Sequence, residues 1–129
     1  MDLLLLTEDL REVVPTLPVA PLPGRPRGIQ GVVIHQGEFL PVLAWEDLPG
    51  CPNPPAPPMA LAVLRPRLGL PLERIIGTVD LPPEAWREAD EADPAIAWLG
   101  GVGRVGNQDL RVVDPDRLVA LLRQFRADR

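Results

Sequence analysis

Residues Arg27 to Trp45 read RGIQGVVIHQGEFLPVLAW, and the fold turns on how this stretch is read. Ile29, Val32, Val33 and Ile34 are β-branched, which stiffens χ1 and suits a pleated strand better than a helix. The run stops at Gln36-Gly37, and a second apolar run, Phe39 to Trp45, follows at once. Two apolar runs around a short glycine-containing turn predict a β-hairpin.

The same punctuation continues outward. The chain has 18 prolines in 129 residues, and each removes an amide donor and fixes φ, so long helices are excluded almost everywhere. Leu48 to Pro58 reads LPGCPNPPAPP, a polyproline-type loop inside the domain, with Cys51 in it as an exposed free thiol. It lacks the neighbouring basic residue that orients SH3 ligands, so a stiff surface loop is the better reading. Ala60 to Leu64 predicts a strand and Arg65 to Arg67 a turn. Leu68 to Leu81 predicts a second strand, bent near Gly69, Pro71 and Gly77. Pro82-Pro83-Glu84 starts a helical turn or two carrying Trp86. The run Ile96 to Val105 meets a turn at Gly106-Asn107 and returns as Asp109 to Val113. The chain closes on a helix: Asp114 is its N-cap, Pro115 its first residue, and Leu118, Leu121, Leu122 and Phe125 recur at helical spacing. About seven short strands and one convincing helix make an all-β class, a small barrel or pair of barrels with a C-terminal helix.

Composition narrows the chemistry. There is no Ser, Lys or Tyr, and all 13 basic residues are Arg. Serine nucleophiles, lysine-based phosphate loops and Schiff-base chemistry are thereby excluded. One His (His35) and one Cys (Cys51) do not make a zinc site, and no cofactor motif is present. The acidic run Glu84, Glu88, Asp90, Glu91 and Asp93 reads as a solvated face, since the calcium-loop spacing and its glycine are missing. A net charge of -5 argues against nucleic acid as a partner. No apolar run approaches the roughly 18 residues of a membrane span, and Met1 to Leu6 does not read as a signal peptide. A single cysteine allows no internal disulfide and fits a reducing compartment. No catalytic set emerges; Glu73 with Asp80 is the one acid pair worth weighing, and a bent strand does not make them converge.

Taken in order, the motifs resemble the CheW-like domain of bacterial chemotaxis adaptors over nearly the whole chain, 1–129. Leu10-Arg11-Glu12-Val13-Val14-Pro15 resembles that family's "V-x-E-V-V" segment. Pro26 to Val33 resembles "P-x-x-I-x-G-V-I", and Gly37 to Leu43 resembles "G-x-I-I-P-V-I-D-L". Gly69 to Ile75 is similar to "G-L-x-V-D-x-V", and Leu81 to Glu84 to the short helical turn after it. Trp98 to Gly103, then Leu110 to Asp114 and Leu118, resemble the "G-V-G" strand and the closing "L-L-D-x-x-x-L-L". The resemblance implies two small SH3-like β-barrel subdomains sharing a core, and a non-enzymatic adaptor. It implies docking to the regulatory domain of a CheA-type histidine kinase and to a chemoreceptor or motility sensor. It also implies a cytoplasmic place, with recruitment to membrane-bound receptor arrays.

The resemblance carries over onto Leu10, Glu12 and Gly31, which fall where family members contact partners, and onto the turn His35-Gln36-Gly37. His35 by itself reads as a half-exposed polar hairpin residue, and Leu10 equally as core. The family's turn is "N-L-R-G", so Gln36 stands where its Arg is expected and cannot make the bidentate ion pair that Arg makes. The family also opens with an additional strand before the segment matching Leu3, Leu4, Leu5 and Leu6. Without it those leucines form an open edge, a candidate for self-association as a homodimer. The competing reading is an SH3-like interaction or structural module of a different complex, its chemotaxis role lost.

Overall fold

The computed structural model describes residues 3–51, 58–88 and 98–127. They form β1 (Leu3–Leu4), β2 (Leu10–Pro15), β3 (Ile29–His35), β4 (Glu38–Leu43), β5 (Ala60–Leu64), β6 (Gly69–Leu72), β7 (Trp86–Glu88), β8 (Leu99–Val105), β9 (Gln108–Val113) and the helix α1 (Pro115–Ala127). The strands make two sheets, ordered β2-β5-β6-β4-β3 and β1-β9-β8-β7. The expected hairpin is β3–β4, with Ile34 opposite Phe39 and His35 opposite Glu38. The second expected hairpin is β8–β9, turning after Val105, which faces Gln108.

β5 explains why two sheets make one body. Its sequence ALAVL holds no polar residue, the signature of a strand covered on both faces. The strand period of two then divides it. Leu61 and Val63 enter a small core with Val33, Leu40 and Val42, enclosed by the first sheet. Ala62 and Leu64 point the other way, into a larger core with Trp45, Trp98, Val113 and the helix residues Leu118 and Phe125. That larger core is drawn from both sheets and α1, so the two subdomains share it. Trp45 and Trp98 meet in it edge to face, with centroids 5.8 Å apart and planes at 62°. Each indole N–H donates to a carbonyl, Trp45 to Pro71 at 2.7 Å and Trp98 to Pro49 at 2.8 Å, which removes the cost of burying it.

The helix follows its sequence signals. Asp114 Oδ1 accepts from the amides of Asp116 at 3.0 Å and Arg117 at 3.2 Å, satisfying two donors that the first turn leaves unpaired. Leu118, Leu121 and Phe125 are buried, and the guanidinium of Arg27 lies over the Phe125 ring at 4.0 Å.

Several expectations are corrected. Leu68 to Leu81 is not one strand: pairing stops at Leu72, and Glu73 to Asp80 are all exposed outside any strand. β6 is flanked by β5 and β4, and past Leu72 no described strand offers a ladder. Trp86 is not helical; it opens β7, after a single 3-10 turn at Pro83–Ala85. Cys51 is half-buried against the larger core instead of exposed, and burial pushes its thiol pKa up. Leu3 and Leu4 form β1, which pairs parallel with β9 through Leu3–Arg111 and Leu4–Val112 and stands at the end of its sheet; this leaves the open-edge expectation uncorrected. Most of the Pro-rich loop and of the acidic run (52–57 and 89–97) lies outside the described residues. Among the described residues no helix is long and apolar enough to cross a membrane.

Candidate functional site

The β3–β4 turn is the place where residues from distant parts of the chain converge. Gln36 and Gly37 both have positive φ, 53° and 76°, the requirement of the tight hairpin turn that matches strand twist. Glycine adopts this at no steric cost, whereas Gln36 is held there: its Nε2 donates to Glu12 Oε1 at 3.2 Å. Glu12 comes from β2, at the opposite end of the sheet order from β3. The same carboxylate oxygen bonds His35 Nε2. A carboxylate only accepts, so the imidazole carries hydrogen on Nε2 and donates. Glu12 thus joins the two ends of the sheet by side chains, closing it toward a barrel.

His35 is 5% exposed, not half-exposed as its place beside a turn suggested. It faces inward with Val33 by the alternation of β3, and its Nδ1 has no partner among the described residues. Of the candidate contact residues, Glu12, His35, Gln36 and Gly37 therefore form one cluster. Leu10 is separate, half-buried and packed on the larger core. Gly31 is also separate: it is buried, and an added Cβ would overlap the carbonyl oxygen of Ala20, whose backbone bridges to Val32. A side chain at position 31 disturbs the fold before it meets any partner. Leu3, Leu4, Leu5 and Leu6 are half-buried, with Leu3 and Leu5 packed on the larger core.

Beside the cluster lies a feature that the sequence reading did not single out. Ile34 and Phe39, directly opposed across the hairpin, are 59% and 71% exposed. Val32 and Pro41, the next outward pair, are half-buried. The signal was present: once Val33 and Leu40 point inward, strand alternation turns their neighbours Ile34 and Phe39 out. Exposed apolar pairs beside a polar rim are the makings of a docking surface. Glu38 at the turn is paired with Arg67 at 3.0 Å and Glu12 is engaged by His35 and Gln36, so both carboxylates at the turn already have partners within the chain. Among the described residues no cluster of His, Cys, Asp or Glu could hold a metal ion.

The model of the CheW-like domain family matches residues 2–123. The chain belongs to the CheW-like domain family. As a CheW-like domain it is a signalling adaptor, not an enzyme. The crystal structure of the scaffolding protein TtCheW from Thermoanaerobacter tengcongensis superposes with a TM-score of 0.75 at 15% identity, covering 85% of this chain and 79% of that one. That likeness extends to the two-sheet architecture with its SH3-type subdomains and closing helix. No curated protein matches the chain. Within this CheW-like domain, Gln36 occupies the turn with its amide tied back to Glu12.

Proposed function

We propose that this CheW-like domain couples a chemoreceptor or motility sensor to the regulatory domain of a CheA-type histidine kinase, and that the outer face of the β3–β4 hairpin is one of its docking surfaces. The observation that carries this reading is the exposed pair Ile34–Phe39 beside the Glu12–His35–Gln36 cluster. Phe39 supplies rigid apolar area that a partner can cover, and the cluster fixes the hairpin tip so that little ordering cost remains on binding. The work is geometric: each subdomain offers a surface, and the shared core keeps the two at a fixed relation. No step needs a cofactor, nucleic acid or membrane insertion, and the protein acts in the cytoplasm at receptor arrays. Gln36 in place of an arginine fits a partner whose contact residue is not a carboxylate.

Light scattering and calorimetry with the regulatory domain of a CheA-type kinase from the same organism test the reading. We expect a one-to-one complex. Ile34→Glu and Phe39→Glu should each weaken it by about tenfold or more, as for a central apolar contact. Arg123→Glu, on the exposed side of α1, should leave it unchanged. Full binding by both hairpin variants would place the contact elsewhere. No binding by the unaltered protein would favour an SH3-like module of a different complex.

A further inference from the structure

The run from Glu73 to Asp80 is the longest stretch of consecutive exposed residues among those described, and it carries strand-forming side chains. Ile75, Ile76 and Val79 are 54%, 74% and 52% exposed, and Ile75, Ile76, Thr78 and Val79 are all β-branched. Such a sequence is suited to a ladder, yet no described strand pairs with it. The run is also held in place. Leu72 ends β6 in the first sheet, and the methyl groups of Leu81 lie over Gly103 in the second, beside those of Leu4. It therefore runs between the two sheets as an exposed segment outside any strand, anchored at both ends.

Its sequence is complementary to itself. When two copies run antiparallel with their Gly77 residues opposed, positions equally far before and after Gly77 face each other. Ile76 then meets Thr78, Ile75 meets Val79, and Arg74 meets Asp80, each pair occurring twice. Strand alternation puts Ile75 and Val79 of both copies on one face, on either side of the Gly77 pair, and Arg74, Ile76, Thr78 and Asp80 on the other. Neither Arg74 nor Asp80 has an ion-pair partner among the described residues, so both charges are free to be matched. Gly77 has nothing within 4 Å of where a Cβ would sit, leaving the centre open to a second backbone. A generic apolar strand would use the isoleucines and leave both charges unmatched. A second copy matches both charges and sets Ile75 opposite Val79 in the same ladder.

We propose that residues 74–80 form a self-association strand through which two copies of this chain pair antiparallel about a two-fold axis at Gly77. The contact is a single short pair of strands, so the dimer is expected to be weak and concentration-dependent. It lies outside the hairpin face assigned to the kinase and does not depend on that assignment.

Sedimentation velocity of the full chain across the micromolar range provides the test. The unaltered protein should pass from monomer to dimer. Arg74→Asp and Asp80→Arg each set like charges opposite one another at both ends and should weaken the dimer about tenfold. Both residues are exposed outside any strand, so circular dichroism should be unchanged. The double variant restores opposite charges and should dimerise again, and an equimolar mixture of the two single variants should form a heterodimer. A chain that stays monomeric at every concentration overturns the proposal. So does a dimer indifferent to the single substitutions, or a double variant that fails to recover.

Discussion

Asp9 shows how single residues here answer to partners far away in sequence. It sits in the 3-10 turn before β2, and its carboxyl pKa is raised by partial burial first, then by Glu8, Asp114 and Asp116, with Arg65 opposing. The native state therefore holds this proton more tightly than the unfolded chain. The stability that follows is fully present below the ordinary value of 3.8 and is lost as pH rises through the folded value. At neutral pH the ionised group is a liability, moderated by solvent because it is only half-buried. Asp9→Asn should raise the melting temperature at pH 7 and give no gain in acid below the carboxylate range. An equal gain at both pH values would assign the effect to something other than charge. His35 carries the same lesson. Its place beside a turn predicted exposure, but its burial depends on Glu12, 23 residues away, and on strand parity. Neither is a local property of the residues around it.

Elements whose signals are local were legible, and elements that need a distant partner were not. The β3–β4 hairpin needed only two apolar runs and a Gln-Gly turn. The helix needed only Asp114, Pro115 and the spacing of Leu118, Leu121 and Phe125. Its cap is a clean point of attack, since Asp114 Oδ1 serves two backbone amides and its loss strands both. Asp114→Ala should cost about 1 kcal/mol in urea denaturation, whereas Asp114→Asn, which keeps an accepting oxygen, should cost less. Equal losses in the two variants would mean that the charge beside the helix, not the hydrogen bonds, carries the effect. Glu73 to Leu81 was misread as strand because β-branched residues state a preference for a ladder, while a ladder also requires a neighbour. Within the described molecule that neighbour is missing, so the preference survived as an exposed run. Of the proposed docking site, the turn and Glu12 were reached through family likeness. Ile34 and Phe39 were within reach of simple alternation.

At the scale of the whole molecule, the arrangement of cores governs how the adaptor holds its surfaces. The smaller core belongs to the first sheet, but the larger one is built from both sheets and α1 and contains the Trp45–Trp98 contact. Neither subdomain can complete the larger core without the other, so the chain should unfold as one cooperative unit. In a Trp86→Phe background, tryptophan fluorescence comes from Trp45 and Trp98 at the junction between the sheets, and far-ultraviolet circular dichroism reports the strands and helix throughout. In urea the two transitions should coincide. Leu118→Ala removes a fully buried side chain from the shared core and should cost about 2–5 kcal/mol, shifting both transitions by the same amount. A fluorescence change that precedes the loss of secondary structure, with or without Leu118→Ala, would show the sheets separating first. The surfaces on the two subdomains would then no longer be held in a fixed relation, and the geometric account of coupling would fail with the rigidity it requires.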